Sequence, residues 1–364
     1  MKIGERHYRT LWLNANERSL DVIDQTALPH ALVIRTLDTL EDVAQAIESM
    51  VVRGAPLIGV TAAYGIALAL LADSSERQLE AAAARLLSTR PTAVNLAWAV
   101  ARMRAALRDV PASRRAAVAY EHAGLMCEED VSQNEALGAS GAPLIEALWR
   151  DRGQNGSVGI LTHCNAGWLA GIDWGTALAP VYKAHDAGIA VHVFIDETRP
   201  RNQGASLTAF ELAAHGVPHT LIADNAGGHL MQQGEIDLCL VGADRVSADG
   251  AVCNKIGTYL KALAAHDNGI PFYIGVPSPS IDWSLASGAL IPIEERSARE
   301  VTHITGLLED GARAEVALAP AGTQARNPAF DVTPARLVTG FITERGVARD
   351  TLELRALFPE KESP

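Results

Sequence analysis

No Cys-x-x-Cys pair and no zinc-like spacing occurs among the four cysteines, Cys127, Cys164, Cys239 and Cys253, so nothing points to a metal centre built on thiols. No Gly-x-Gly-x-x-Gly follows the strand expected at 158–161, which removes the dinucleotide fingerprint. The opening residues Met1-Lys2-Ile3-Gly4-Glu5-Arg6-His7 carry no signal-peptide apolar core, and a reducing cytoplasm is the expected compartment. Basic residues are outnumbered, 31 Lys and Arg against 43 Asp and Glu, for a net charge of −12. A chain this acidic has no global field to collect nucleic acid or an anionic membrane. An anionic small molecule stays possible where a few arginines converge. The most apolar run, 66–71, is too short and too closely flanked by small residues to span a bilayer.

What is present fits a globular chain: 48% hydrophobic and 20% charged residues over 364 positions, a length that favours two domains. Short strands are expected at 9–13, 20–24 and 30–36. A helix follows with Thr39 of Thr39-Leu40-Glu41-Asp42 as N-cap, and Ala-rich helical spacing covers 57–73, 75–87, 91–109 and 112–129. Residues 1–140 therefore read as a mainly helical domain with a small sheet at its beginning. Two breaks pair an arginine with a proline-opened helix, Arg53-Gly54-Ala55-Pro56 and Arg90-Pro91-Thr92-Ala93. A helix start with an arginine beside it suits an anion such as phosphate, although each is also an ordinary helix boundary.

After the polar stretch 151–157 the pattern alternates. Apolar strands are expected at 158–161, 191–196, 220–223, 238–242 and 272–276, with helices at 175–187, 205–215, 226–233 and 256–268. Buried strands separated by helices indicate a parallel sheet covered on both faces, so 150–350 reads as a Rossmann-like doubly wound α/β domain. Ligands bind at the carboxyl ends of such strands, and polar residues follow each one. His163-Cys164-Asn165-Ala166-Gly167 closes the first, with the thiol expected to face a helix N-terminus that favours the thiolate; the alternative is a buried structural cysteine. Asp196 to Gln203, Asp224-Asn225 and Gly242-Ala243-Asp244-Arg245 end the others, with Asn254-Lys255 close behind. Asp244 is either an ion-pair partner of an arginine such as Arg245 or a desolvated general acid. Lys255 suits a phosphate oxygen, and Gln203 and Asn254 suit hydroxyl or phosphate oxygens. Proline-bounded extended segments at 291–296 and 327–334 are expected to serve interdomain or intersubunit contacts, 335–343 to form a closing helix, and 358–364 to fray.

With these blocks in view, the chain resembles the S-methyl-5-thioribose-1-phosphate isomerases, within a larger family that also holds archaeal ribose-1,5-bisphosphate isomerases and the regulatory subunits of eukaryotic initiation factor 2B. The likeness rests on Arg53-Gly54-Ala55-Pro56, Arg90-Pro91-Thr92, His163 to Gly167, Asp196 to Gly204, Gly242 to Arg245 and Asn254 to Tyr259. It implies an aldose–ketose isomerase that needs no metal or cofactor, usually dimeric, acting on a sugar phosphate. Cys164 and Asp244 would be the catalytic pair, and Arg53 with the Gly54 and Ala55 backbone, Arg90, Gln203, Asn254 and Lys255 would hold substrate. Trp168, Leu169 and Trp174 favour an apolar lining for a methylthio end over a second phosphate, and 5-deoxyribose 1-phosphate is a further expected substrate. Ala251, where Asp is expected, and Ser280, where Thr is usual, depart from the pattern.

Overall fold

The computed structural model describes residues 1–361. A three-stranded antiparallel sheet, Leu11–Leu13, Leu20–Ile23 and Ile34–Leu37, precedes a helical bundle. Thr39 caps the helix Leu40–Glu48 in a reciprocal capping box with Asp42, satisfying two of the donors that a helix start leaves open. Helix Ala55–Ala72 is apolar on every side, and 14 of its 18 residues are buried in the bundle core. It is long and apolar enough to cross a membrane by length and composition alone, but its all-round burial is that of a core helix.

Two helix boundaries differ from expectation. Pro56 is the second residue of its helix rather than the first, Gly54 being the N-cap. The next proline, Pro91, lies in a turn, and the helix starts only at Val94. Helix Ala112–Asp151 runs for 40 residues where 112–129 was expected. Ala119, Ala123 and Met126 pack in the bundle core, while Leu137 and Ile145 pack in the core of the following sheet. Close approach is provided by Gly138 and Gly141, where a Cβ would lie 3.0 Å from Ala179 Cβ and 2.5 Å from the Pro180 ring.

Seven strands form the central sheet, in the order Gly346–Ala348, Gly340–Thr343, Phe272–Gly275, Leu238–Gly242, Val158–Thr162, Val191–Asp196 and His219–Ile222. All pair in parallel except the hairpin strand Gly346–Ala348, as the alternating pattern predicts. From Val158–Thr162 the chain winds outward to one edge. It then returns beside that strand with Leu238–Gly242 and winds to the other edge. The neighbours Val158–Thr162 and Leu238–Gly242 thus flank the topological switch point, where an open α/β sheet leaves a crevice.

The closing helix expected at 335–343 is instead a short 3-10 turn, Ala335–Leu337, followed by the strand Gly340–Thr343. Phe341 and Ile342 are buried on opposite faces of the sheet, one in each core, so period 2 overrides the helical reading. A second small sheet, Ile281–Asp282, Arg245–Ser247, Val252–Lys255 and Phe330–Thr333, was not anticipated. It carries Asn254 and Lys255 on a strand. The tail is docked at Phe358, which is buried with the Arg345 guanidinium 4.5 Å from its ring centroid. Residues 362–364 of the tail expected to fray lie outside the described residues.

Candidate active site

Cys164 is the second residue after the strand Val158–Thr162, and Asp244 the second after Leu238–Gly242. The switch point therefore brings together two groups far apart in the chain. Cys164 sits in the left-handed region, with φ 65°, a cost a non-glycine residue bears only where its surroundings impose it. They do so here: its N–H donates to Thr198 Oγ1 at 2.8 Å, and its carbonyl accepts from Thr208 Oγ1 at 2.7 Å. No α-helix starts at the thiol. A 3-10 turn, Trp168–Ala170, follows and the helix begins only at Ala179, so the expected helix dipole is absent. Burial instead pushes the Cys164 thiol above its ordinary value, opposed by the cations Arg53 and Lys255.

All nine residues singled out in the sequence (Arg53, Gly54, Ala55, Arg90, Cys164, Gln203, Asp244, Asn254 and Lys255) line one cleft at the carboxyl edge of the sheet. Arg53 is buried, and both its terminal nitrogens donate to Asn165, at 3.0 Å to Oδ1 and 2.8 Å to the carbonyl. Asn165 is steadied in turn by Glu211, which also accepts the Trp168 N–H at 2.7 Å. Burial pushes the Glu211 carboxyl up to about 7. Gly54, with φ 92°, lets this turn press on the thiol loop, since a Cβ there would fall 2.3 Å from the Ala170 carbonyl oxygen. Lys255 Nζ donates to the Ala329 carbonyl at 2.8 Å and lies 4.6 Å from the Phe330 ring centroid. Asn254 donates to Thr258 Oγ1 at 3.0 Å, and Gln203 Oε1 is buried without a partner.

Asp244 is not paired with Arg245, which turns away to Asp282 (3.7 Å) and the Thr92 carbonyl (3.0 Å). Burial raises the Asp244 carboxyl above its ordinary range, against the pull of Lys255, Arg90 and Arg53. Burial likewise lowers Lys255, opposed by Cys164 and Asp244. A thiol, an acid and three cations thus share one field inside a cleft whose walls exclude much of the water.

Several expectations change. Trp168 and Leu169 are fully buried in the sheet core, and Trp174 stacks on Lys183 at 4.2 Å, so none of them lines the cleft. Its apolar wall comes from Met50, Pro56, Ala166, Pro277 and Phe330. A contiguous recess beside Asp244 and Arg90 adds Ile58, Val94, Ile291 and Pro292. The 291–296 segment also reaches the site rather than serving only contacts elsewhere, because Glu294 pairs with Arg90 at 3.0 Å. Only the motif around Arg90 hinted at an acid partner, and nothing in the sequence said which carboxylate. The acidic and basic 196–201 stretch does make ion pairs: Arg201 with Glu300 at 2.9 Å, and Glu300 with Arg296 at 2.8 Å. Of the two departures, Ser280 lines the cleft and Ala251 lies in the turn before strand Val252–Lys255. Among the described residues, His163, Asp196 and Asp224 bring potential metal-ligand atoms within 4.8 Å of one another. The Lys261 ammonium, 3.2 Å from Asp196, supplies a cation there, and the Asp224 carboxylate accepts the Thr198 and Arg199 N–H groups at 2.7 and 2.8 Å.

The chain is similar to proteins carrying two kinds of name. Over 363 residues, covering 99% of both chains, the sequence is 62% identical to a methylthioribose-1-phosphate isomerase of Methylorubrum populi. The structure is similar to that of 5-methylthioribose 1-phosphate isomerase from Pyrococcus horikoshii, with TM-score 0.83, 39% identity and coverage of 98% of this chain and 97% of the other. It is also similar to the translation initiation factor eIF-2B subunit delta from A. fulgidus, with TM-score 0.80, 38% identity and coverage of 96% and 99%. A single family model spans residues 51–350, both arginine turns and every strand end of the cleft included, and the chain belongs to the initiation factor 2 subunit family.

Proposed function

We propose that the protein is an aldose–ketose isomerase of methionine salvage, converting 5-methylthioribose 1-phosphate into 5-methylthioribulose 1-phosphate. The observation that carries the reading is a half-buried thiol and a half-buried carboxyl sharing one cleft with Arg53, Arg90 and Lys255. The extent of the likeness to relatives named for that reaction supports it.

The substrate carries phosphate on its anomeric oxygen, so the ring does not open by itself to an aldehyde. Asp244, whose carboxyl burial pushes toward its protonated form, gives its proton to the ring oxygen as the C1–O bond breaks. Hydrogen then moves from C2 to C1, and the C2 hydroxyl gives its proton to the Asp244 carboxylate left by the first step, becoming the ketone and restoring the acid. In one route Cys164 as thiolate takes the C2 proton and returns it to C1. In the other a hydride passes directly from C2 to C1 while the thiol side steadies developing charge. Turnover in deuterated water separates them, since solvent deuterium enters C1 only by the first. Arg53 with the Gly54 and Ala55 backbone, Arg90, Gln203, Asn254 and Lys255 hold the phosphate and hydroxyls, so binding far from C2 orients the reacting bond.

The apolar recess beside Asp244 suits a methylthio end. It suits 5-deoxyribose 1-phosphate as well, and kcat/KM on that sugar measures the breadth. A ribose bisphosphate would call on Arg90 and Arg245, which share that recess; higher turnover on the bisphosphate would replace this reading. A regulatory role, the class suggested by the initiation-factor relative, would take over if the protein isomerised no pentose 1-phosphate yet bound a GTPase factor. The same proposal covers a helical unit 1–140 and a catalytic unit 150–350 joined by the long helix, working as a cytoplasmic homodimer without nucleic-acid or membrane partners. Four unpaired cysteines fit a reducing compartment, and sedimentation of the purified protein reads the dimer.

A further inference from the structure

His163, the residue before the thiol, is absent from the roles assigned above, yet its ring is 1% exposed and has a partner at each nitrogen. Nδ1 lies 2.8 Å from Asp196 Oδ2 and Nε2 lies 2.8 Å from the Ile256 carbonyl oxygen. A carbonyl oxygen only accepts. Asp196 is fully buried, and the same carboxylate oxygen already faces the Lys261 ammonium at 3.2 Å as its acceptor. An imidazole with one N–H would therefore set a lone pair against a lone pair at one end. Two N–H groups satisfy both ends.

The surrounding backbone is shaped to this ring. Gly257 has φ 105°, and a Cβ there would sit 2.9 Å from His163 Cε1. The Gly257 N–H donates to Asp331 Oδ2 at 2.7 Å and the Ile256 N–H to the Ala329 carbonyl at 3.0 Å, so the peptides on both sides of Ile256 are held. Lys255 immediately precedes them. The charged groups facing the ring come from every element around it: Asp196 at the end of strand Val191–Asp196, Lys261 on helix Thr258–Asp267, Asp331 on strand Phe330–Thr333, and Asp224 after strand His219–Ile222.

We propose that His163 is a doubly protonated positioning residue, an imidazolium clamp that ties the Cys164 turn to the Lys255–Ile256–Gly257 turn and sets a positive charge behind the thiol. This rests on the reading of Cys164 and Lys255 as parts of one site, but its charge and its effect on the thiol are measurable without any sugar phosphate. Asp196 and Lys261 hold the clamp from behind, and the two loops it joins belong to opposite sides of the switch point.

Two experiments on the full-length protein test it. Nitrogen-15 spectra of histidine-labelled wild-type protein should show both His163 nitrogens protonated from pH 6 to 8.5. A ring with a single N–H in that range overturns the proposal, whatever any variant does. Alkylation by iodoacetamide reads the thiol directly, because Cys164 alone of the four is not buried. In His163→Gln, whose side chain cannot donate to both acceptors, the alkylation rate at pH 7.5 should fall about ten-fold and its pH midpoint should rise; an unchanged profile in a folded variant overturns the proposal. If isomerase activity is present, the same variant should lose kcat by about 10- to 100-fold with KM within about three-fold. A loss confined to KM would contradict the clamp without touching the assignment of the reaction.

Discussion

At the residue scale, the site works by opposing two large effects. Burial drives Cys164 and Asp244 toward their neutral forms, and the cations Arg53 and Lys255, with Arg90 acting on the acid, pull them back. Neither group is set by its neighbours in sequence, and both are set by what the cleft walls bring. Cys164→Ser and Asp244→Asn should each lower kcat by about 10²–10⁴ while KM stays within a few-fold, as removal of a proton-transfer group does. Steady-state kinetics on 5-methylthioribose 1-phosphate would reject the assignment if either variant kept near-native kcat. Arg90→Ala should raise KM by about 10- to 100-fold, the worth of a charge-assisted hydrogen bond to phosphate, with a much smaller change in kcat. A dominant kcat effect would mean that Arg90 acts in the transition state instead.

At the element scale, loops carry the chemistry and close backbone approach holds them. The turn at Gly54 lies against Ala170, so the start of the bundle's central helix and the thiol loop form one packed unit. Gln25 Nε2 donates to the Leu169 carbonyl at 2.6 Å and the Thr10 hydroxyl donates to the Trp168 carbonyl at 3.0 Å, fastening the small N-terminal sheet to the same loop. Gly54→Ala has to move backbone rather than a flexible side chain and must also hold φ near 92°. It should cost at least about 1–3 kcal/mol of stability and raise KM by displacing Arg53. Denaturant melts showing native stability would mean that the two loops are not so closely packed. The five strands expected in the central sheet were legible to within a residue at each end because buried parallel strands leave continuous apolar runs. Residues 335–343 were misread because Phe341 and Ile342 serve cores on opposite faces of the sheet, which only its partner strand Phe272–Gly275 makes plain.

At the scale of the whole molecule, the long helix Ala112–Asp151 links both cores and brings a carboxyl with it. Asp130 is buried, accepts from the Ile172 N–H at 2.8 Å, and is pushed up to about 7 by desolvation. A carboxyl raised in the folded state binds its proton more tightly than in the unfolded chain, so its contribution to stability is greatest at low pH. That contribution is lost as pH rises from about 4 to about 7, by on the order of 4 kcal/mol. Asp130→Asn, which cannot ionise, should flatten the fall in Tm between pH 5 and 8. Calorimetry giving parallel pH profiles for both proteins would show that Asp130 does not titrate in this range.

Local pattern was enough to determine the alternating strands and helices, the polar strand ends and the residue types gathered there, because apolar periodicity and turn chemistry act over a few neighbouring positions. It could not say that Trp168 and Leu169 would be spent on the core, that Glu294 would come to Arg90, or that the thiol would meet no helix dipole. Those outcomes depend on which distant segments pack side by side. The order of the strands decided them, by placing the ends of Val158–Thr162 and Leu238–Gly242 next to each other at the switch point. Burial there then pushes Cys164, Asp244 and Lys255, which the sequence could only name, toward their neutral forms.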